Sequence, residues 1–154
     1  MKATRVTALW TATGVATIGL AAATHADNVI YQFQAPPENI ACIMGNSHGG
    51  NAFASCQING FTYQRPPPPP GNCPGWGALF RLDQGNPAYM GCKGDPLVYP
   101  PPPTLDWEKT QSVGPISCQN SMGDPAQSVP ASTLCRDNST GHYFRVGTDR
   151  YNLG

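Results

Sequence analysis

The chain has 154 residues, nine basic side chains against nine acidic ones, and 17 residues each of glycine and proline. Its charges are scattered singly, without the clustered Lys and Arg that release counterions from nucleic acid or hold an anionic membrane surface. After the first 26 residues no long stretch has a helical period, and the breaker content is high, which points to β structure.

Residues 1–26 carry the three parts of a signal peptide: Lys2 and Arg5, an apolar run from Val6 to Ala23, and Thr24-His25-Ala26 before Asp27. The run is short and diluted by threonine, whereas a spanning helix needs about 20 predominantly apolar residues. No cysteine follows it closely enough for lipid attachment, and no later stretch is apolar enough to span a bilayer. The expectation is therefore a single exported domain at 27–154, with seven basic against nine acidic residues, and no membrane span after cleavage.

Two proline runs, Pro66 to Pro70 and Pro100 to Pro103, divide that domain into three segments. Both are expected to lie outside every hydrogen-bonded ladder, as semi-rigid spacers between hairpins, with a polyproline recognition element as the alternative. In the first segment Asn39 to Met44 reads as a strand, Gly45 to Asn51 as a turn and Ala52 to Ile58 as the return strand. Opposed residues of an antiparallel hairpin share one midpoint; for Cys42 and Cys56 it is Gly49, inside the turn, so the two thiols face each other. In the second segment Trp76 to Leu82 reads as a strand, Asp83 to Pro87 as a turn and Ala88 to Cys92 as a short return. There Cys92 falls opposite Ala78, and Cys73 must fold back from the preceding loop. The third segment repeats the first: Pro115 to Gln119 carries Cys118, Leu134 to Arg136 carries Cys135, and their midpoint lies at Pro125-Ala126-Gln127. Thr140 to Val146 then alternates, with His142, Phe144 and Val146 on one side, as a half-buried terminal strand.

Six cysteines in an exported chain read as a disulfide framework. Hairpin geometry pairs Cys42 with Cys56, Cys73 with Cys92 and Cys118 with Cys135, each link worth about 3 kcal/mol by loop closure. The fold class is mainly β: consecutive disulfide-bridged antiparallel hairpins in one small sandwich- or barrel-like domain, with proline-rich connections.

The closest two cysteines are 14 apart, unlike the tight spacing of structural zinc ligands, so no metal and no cofactor is expected. His48 lies in a Gly/Asn turn and His142 on the apolar side of a strand; both read as structural, and no Gly-x-Ser-x-Gly elbow occurs. Asp106 and Glu108 read as a solvated acidic pair, and Trp76, between two glycines, as a core or corner ring. Trp107, with Tyr99 across the second proline run, is the candidate binding anchor, because a stiff segment holds flanking rings at little entropic cost.

Taken in order, Asn39-Ile40-Ala41-Cys42, Cys56, Cys73, Trp76-Gly77, Cys92-Lys93-Gly94-Asp95 and Leu97-Val98-Tyr99 form the first half of a longer pattern. Ser112 to Cys118, Cys135, Thr140-Gly141-His142-Tyr143-Phe144 and Tyr151 complete it. The pattern resembles a family of secreted actinobacterial, especially mycobacterial, six-cysteine domains of unknown function. The resemblance implies export and a disulfide-bonded fold, and brings no catalytic residue with it. The function expected is that of a non-enzymatic binding or interaction module of the cell envelope or medium, with an unknown protein or envelope ligand as partner. Two alternatives are a secreted hydrolase inhibitor presenting the loop between Cys118 and Cys135, and an enzyme built around His48 or His142.

Overall fold

The computed structural model describes residues 29–36, 39–94, 97 and 100–154; the expected signal peptide, its cleavage point at Asp27, and Tyr99 lie outside the described residues. β1 (Ile30–Ala35), β2 (Ile40–Asn46), β3 (Ala52–Ile58), β4 (Leu79–Asp83) and β5 (Tyr89–Gly91) form one antiparallel sheet in chain order. β6 (Thr110–Val113), β7 (Ile116–Ser121), β8 (Ser132–Asp137), β9 (Tyr143–Gly147) and β10 (Tyr151–Leu153) form a second. Alternating residues of both sheets bury against one another in a single core, so the domain is a β-sandwich. No helix among the described residues is long and apolar enough to cross a membrane.

All three disulfides join nearest neighbours, the pairing that the hairpin geometry favours: Cys42–Cys56, Cys73–Cys92 and Cys118–Cys135. Cys42 and Cys56 are register partners on β2 and β3, with Cα atoms 4.1 Å apart, and Cys118 and Cys135 are partners on β7 and β8 at 4.0 Å. That is the close spacing of non-hydrogen-bonded antiparallel pairs. Three disulfides are compatible with an extracellular protein.

The two sheets share one frame. Cys56 is paired with Phe80 on β4, and Cys135 with Phe144 on β9. At the centre of the sandwich the sulfurs of Cys56 and Cys135 lie 3.9 Å apart and the Phe80 and Phe144 ring centroids 6.0 Å apart. All four side chains are fully buried.

Several boundaries differ from the sequence reading. β4 begins at Leu79, not Trp76, because Gly75 and Gly77 adopt positive φ and turn the chain. Cys92 lies directly after β5, yet the expected register holds, since Leu79 pairs with Gly91. β7 runs on to Ser121, preceded by β6 through the two-residue turn Gly114-Pro115, with Gly114 at φ 53. The alternating segment near the end is not terminal: β9 begins at Tyr143, leaving His142 outside it, and β10 pairs with its far edge. The second proline run does reach a ladder. Proline lacks only the donor, and the Pro103 carbonyl accepts from the Gln34 backbone N–H while Leu105 N–H donates to Gln34 O, covering part of the free edge of β1.

Candidate functional site

The shared register sets the site. On the outer face of the first sheet, Arg81 follows Phe80; on the second, Arg145 follows Phe144 in the equivalent position. Arg81 is satisfied within its own sheet. Its Nε and Nη2 form a fork on the Asp83 carboxylate at 2.8–3.1 Å, and its Cζ lies 4.7 Å from the centroid of the Phe53 ring. Its pKa is raised, chiefly by that hydrogen bond.

Counting from the paired cysteines and phenylalanines, Asp83 corresponds to Gly147 and Phe53 to Ser132. Neither offers Arg145 a carboxylate or a ring. A side chain at Gly147 is excluded by its surroundings, because a Cβ there would come within 2.7 Å of the Ala131 carbonyl oxygen. Beside Arg145 is a hollow of about 260 Å³ whose lining includes Val129, Pro130, Ser132, Gly147, Arg150 and Asn152. A second hollow of about 290 Å³ shares Arg145 and Asn152 and adds Leu134, Arg136 and Tyr143.

Three arginines thus lie on one face. Arg150 is paired with the neighbouring Asp149 at 3.1 Å, on the surface, where such pairs contribute little. Arg136 lies 5.9 Å from the Tyr143 ring centroid. Arg136 and Arg145 have no hydrogen-bond acceptor or carboxylate partner among the described residues. An exposed guanidinium fork of this kind suits a planar anion, above all a carboxylate or phosphate.

The residues singled out by sequence fall elsewhere. Trp107 is half-buried at a narrow crevice of about 20 Å³ beside Pro36, Ile40 and Ala131, room for little more than one water. It sits in a turn closed by the Lys109 N–H to Asp106 O bond, with Glu108 at φ 60. Tyr99 lies outside the described residues, so their juxtaposition is not described. Trp76 is half-buried, and its indole N–H donates to the Pro66 carbonyl at 2.9 Å, anchoring the first proline run at its start. His48 is exposed in the β2–β3 turn and His142 is half-buried; neither imidazole has a hydrogen-bond partner among the described residues. The same residues contain no group of three His, Cys, Asp or Glu placed to hold a metal. All six cysteines are consumed in bridges.

Sequence reasoning missed the arginine face. Its signal was present as the repeated Phe-Arg dipeptide at 80–81 and 144–145, each followed by a buried aliphatic residue, Leu82 or Val146. No protein family, curated protein or solved structure matches the chain.

Proposed function

We propose that the protein is an exported, non-enzymatic binding module of the cell envelope or medium, acting through the outer face of its second sheet. One observation carries this reading: Arg136 and Arg145 stand exposed beside two adjoining hollows with no counter-charge among the described residues. Export is supported by the leader-like first 26 residues and the three disulfides. The test is capture from culture medium and envelope extract on the immobilised, oxidised protein. A partner should be retained by the wild type and lost by Arg136→Gln/Arg145→Gln; equal capture by both would overturn the choice of face.

A second reading, inhibition of a hydrolase, is favoured by the loop between β7 and β8. Asp124 and Val129 exchange both backbone hydrogen bonds, at 2.8 and 2.9 Å, and the Asp124 carboxylate caps Ala126 N–H at 2.9 Å. Met122 and Val129 remain exposed beside this closed turn. Such a loop is preorganised for insertion into a cleft. Slow cleavage of the intact loop by a panel of secreted proteases, with loss of their activity on small substrates, would support inhibition; rapid cleavage without inhibition would refute it.

A further inference from the structure

The two sheets offer the same arginine in two states, and the first describes what the second lacks. Arg81 holds a carboxylate in its fork and rests against an aromatic ring, both supplied by neighbours in its own sheet. Arg145 occupies the equivalent register position, with Gly147 and Ser132 standing where the carboxylate and ring stand in the first sheet, and a hollow that all three help to line. We infer that the hollow at Arg145 receives, from an acidic protein segment, an Asp or Glu carboxylate flanked by an aromatic side chain, completing from outside the arrangement that Phe53 and Asp83 complete around Arg81. This rests on the binding-module reading and deepens it.

Three features fit that occupant. The fork geometry of a guanidinium matches a planar carboxylate through two parallel N–H···O bonds. Neither Ser132 nor Gly147 projects a ring or a carboxylate into the hollow, and the exposed Val129 with the half-buried Pro130 adds apolar lining for an aromatic group. The second hollow shares Arg145 and Asn152 and brings in Arg136 and Tyr143, so two successive same-face side chains of one extended segment have two adjoining seats. Among the described residues the only carboxylate partner on the three arginines is Asp149, which is taken up by Arg150.

The experiment is a titration of the oxidised, isotopically labelled protein with four small probes, followed by amide and arginine side-chain NMR signals. Phenylacetate should bind saturably and shift Ser132, Arg145, Gly147 and Asn152. Acetate should bind at least fivefold more weakly, phenylphosphonate more weakly than phenylacetate, and phenethylammonium not at all. Arg145→Gln should weaken phenylacetate at least tenfold. Asn152→Asp should do the same by a different route: Asn152 is the register partner of Arg145 on β10, so an Asp there supplies an internal carboxylate with almost no change in shape. Lys93→Gln, on the first sheet's side, should have no effect.

Absence of saturable binding, or binding untouched by both variants, would overturn the inference. Equal or tighter binding of phenylphosphonate would also overturn it, assigning the hollow to phosphate groups. If a partner is captured through Arg136 and Arg145 but phenylacetate does not bind, only the ligand class falls. If phenylacetate binds and no partner depends on those arginines, the binding-module reading falls and the ligand class stands.

Discussion

The two sheets are built on one register and put it to different uses. Positions occupied on the inner face of the first by Met44, Ala54 and Ile58 are occupied in the second by Asn120, Thr133 and Asp137, all six buried. The polar three are fully engaged. Asn120 donates to Leu105 O at 2.7 Å and accepts from the Thr133 hydroxyl at 2.8 Å, tying down the segment that enters the second sheet. Asp137 accepts from Gly85 N–H at 2.7 Å and Ser139 N–H at 2.8 Å, clasping the β4–β5 turn of the opposite sheet. The first sheet therefore contributes apolar burial, while the second contributes burial, two polar clasps and an outer face left open. Equivalent backbone positions share geometry; the side chains decide whether an arginine is part of the structure or available to a ligand.

The largest expected effect tests the shared core. Phe80→Ala and Phe144→Ala should each cost about 3–5 kcal/mol in denaturant unfolding, the range for deleting a buried aromatic side chain. Because the rings are in contact, the double variant should depart from additivity by about 0.5–1.5 kcal/mol. If one substitution is tolerated with an unchanged midpoint, the equivalence of the two sheets is broken.

Replacing either central disulfide by two alanines should cost about 3 kcal/mol, from loop closure over separations of 14 and 17 residues. Since Cys56 and Cys135 touch, removing both bridges should again be non-additive. The Cys73–Cys92 link closes a similar separation of 19 residues but joins a half-buried loop position, Cys73, to an exposed one, Cys92. Its removal should show the entropic part alone, so any excess loss at the central bridges measures their packing.

The framework was legible because a disulfide between register partners turns a strand-pairing problem into arithmetic on residue numbers. Midpoints at Gly49 and at 125–127 fell on turn residues, and the structure places a turn and a short 3-10 helix there. Three strands that carry no cysteine escaped. β1, β6 and β10 are edge strands of 3 to 6 residues, too short or too polar in part to stand out from loop. The crevice that Trp107 lines with Pro36, Ile40 and Ala131 was illegible too, because tertiary packing assembles it from segments distant in the chain. The arginine face was illegible for a related reason. It depends on what is missing beside Arg145, and an absence becomes visible only against Arg81 in the equivalent frame.

A smaller effect separates the sheets by pH. Burial alone would raise the Asp137 pKa, but hydrogen bonds from Ser139, Gly85 N–H and Thr140 outweigh it and lower it from 3.8 to about 2. A carboxyl held lower in the folded state than in the unfolded chain adds stability above the unfolded value, and that stability is lost as pH falls toward the folded one. Wild-type stability should therefore drop between pH 4 and pH 2. Asp137→Ala should remove part of that slope and, by orphaning the Gly85 N–H, cost about 1–3 kcal/mol at neutral pH. An unchanged acid slope in the variant would mean the clasp is not what titrates.

The smallest effect bears most directly on the open face. Arg81 and Arg145 sit at equivalent positions, so the same substitution in each compares a satisfied guanidinium with an available one. Arg81→Gln gives up a bidentate carboxylate pair and a ring contact; both partners are about one-third exposed, so solvent screening holds the loss to roughly 0.5–1 kcal/mol. Arg145→Gln gives up no partner among the described residues and should change stability by less than about 0.5 kcal/mol, as surface substitutions away from such contacts do. Thermal and urea unfolding of the two variants beside wild type make the comparison. Equal losses would mean that Arg145 is spent within the fold, and the hollow beside it would then have no charge to offer a ligand. Unequal losses in the expected order leave Arg145 as a side chain whose energetic role is exercised only when something binds.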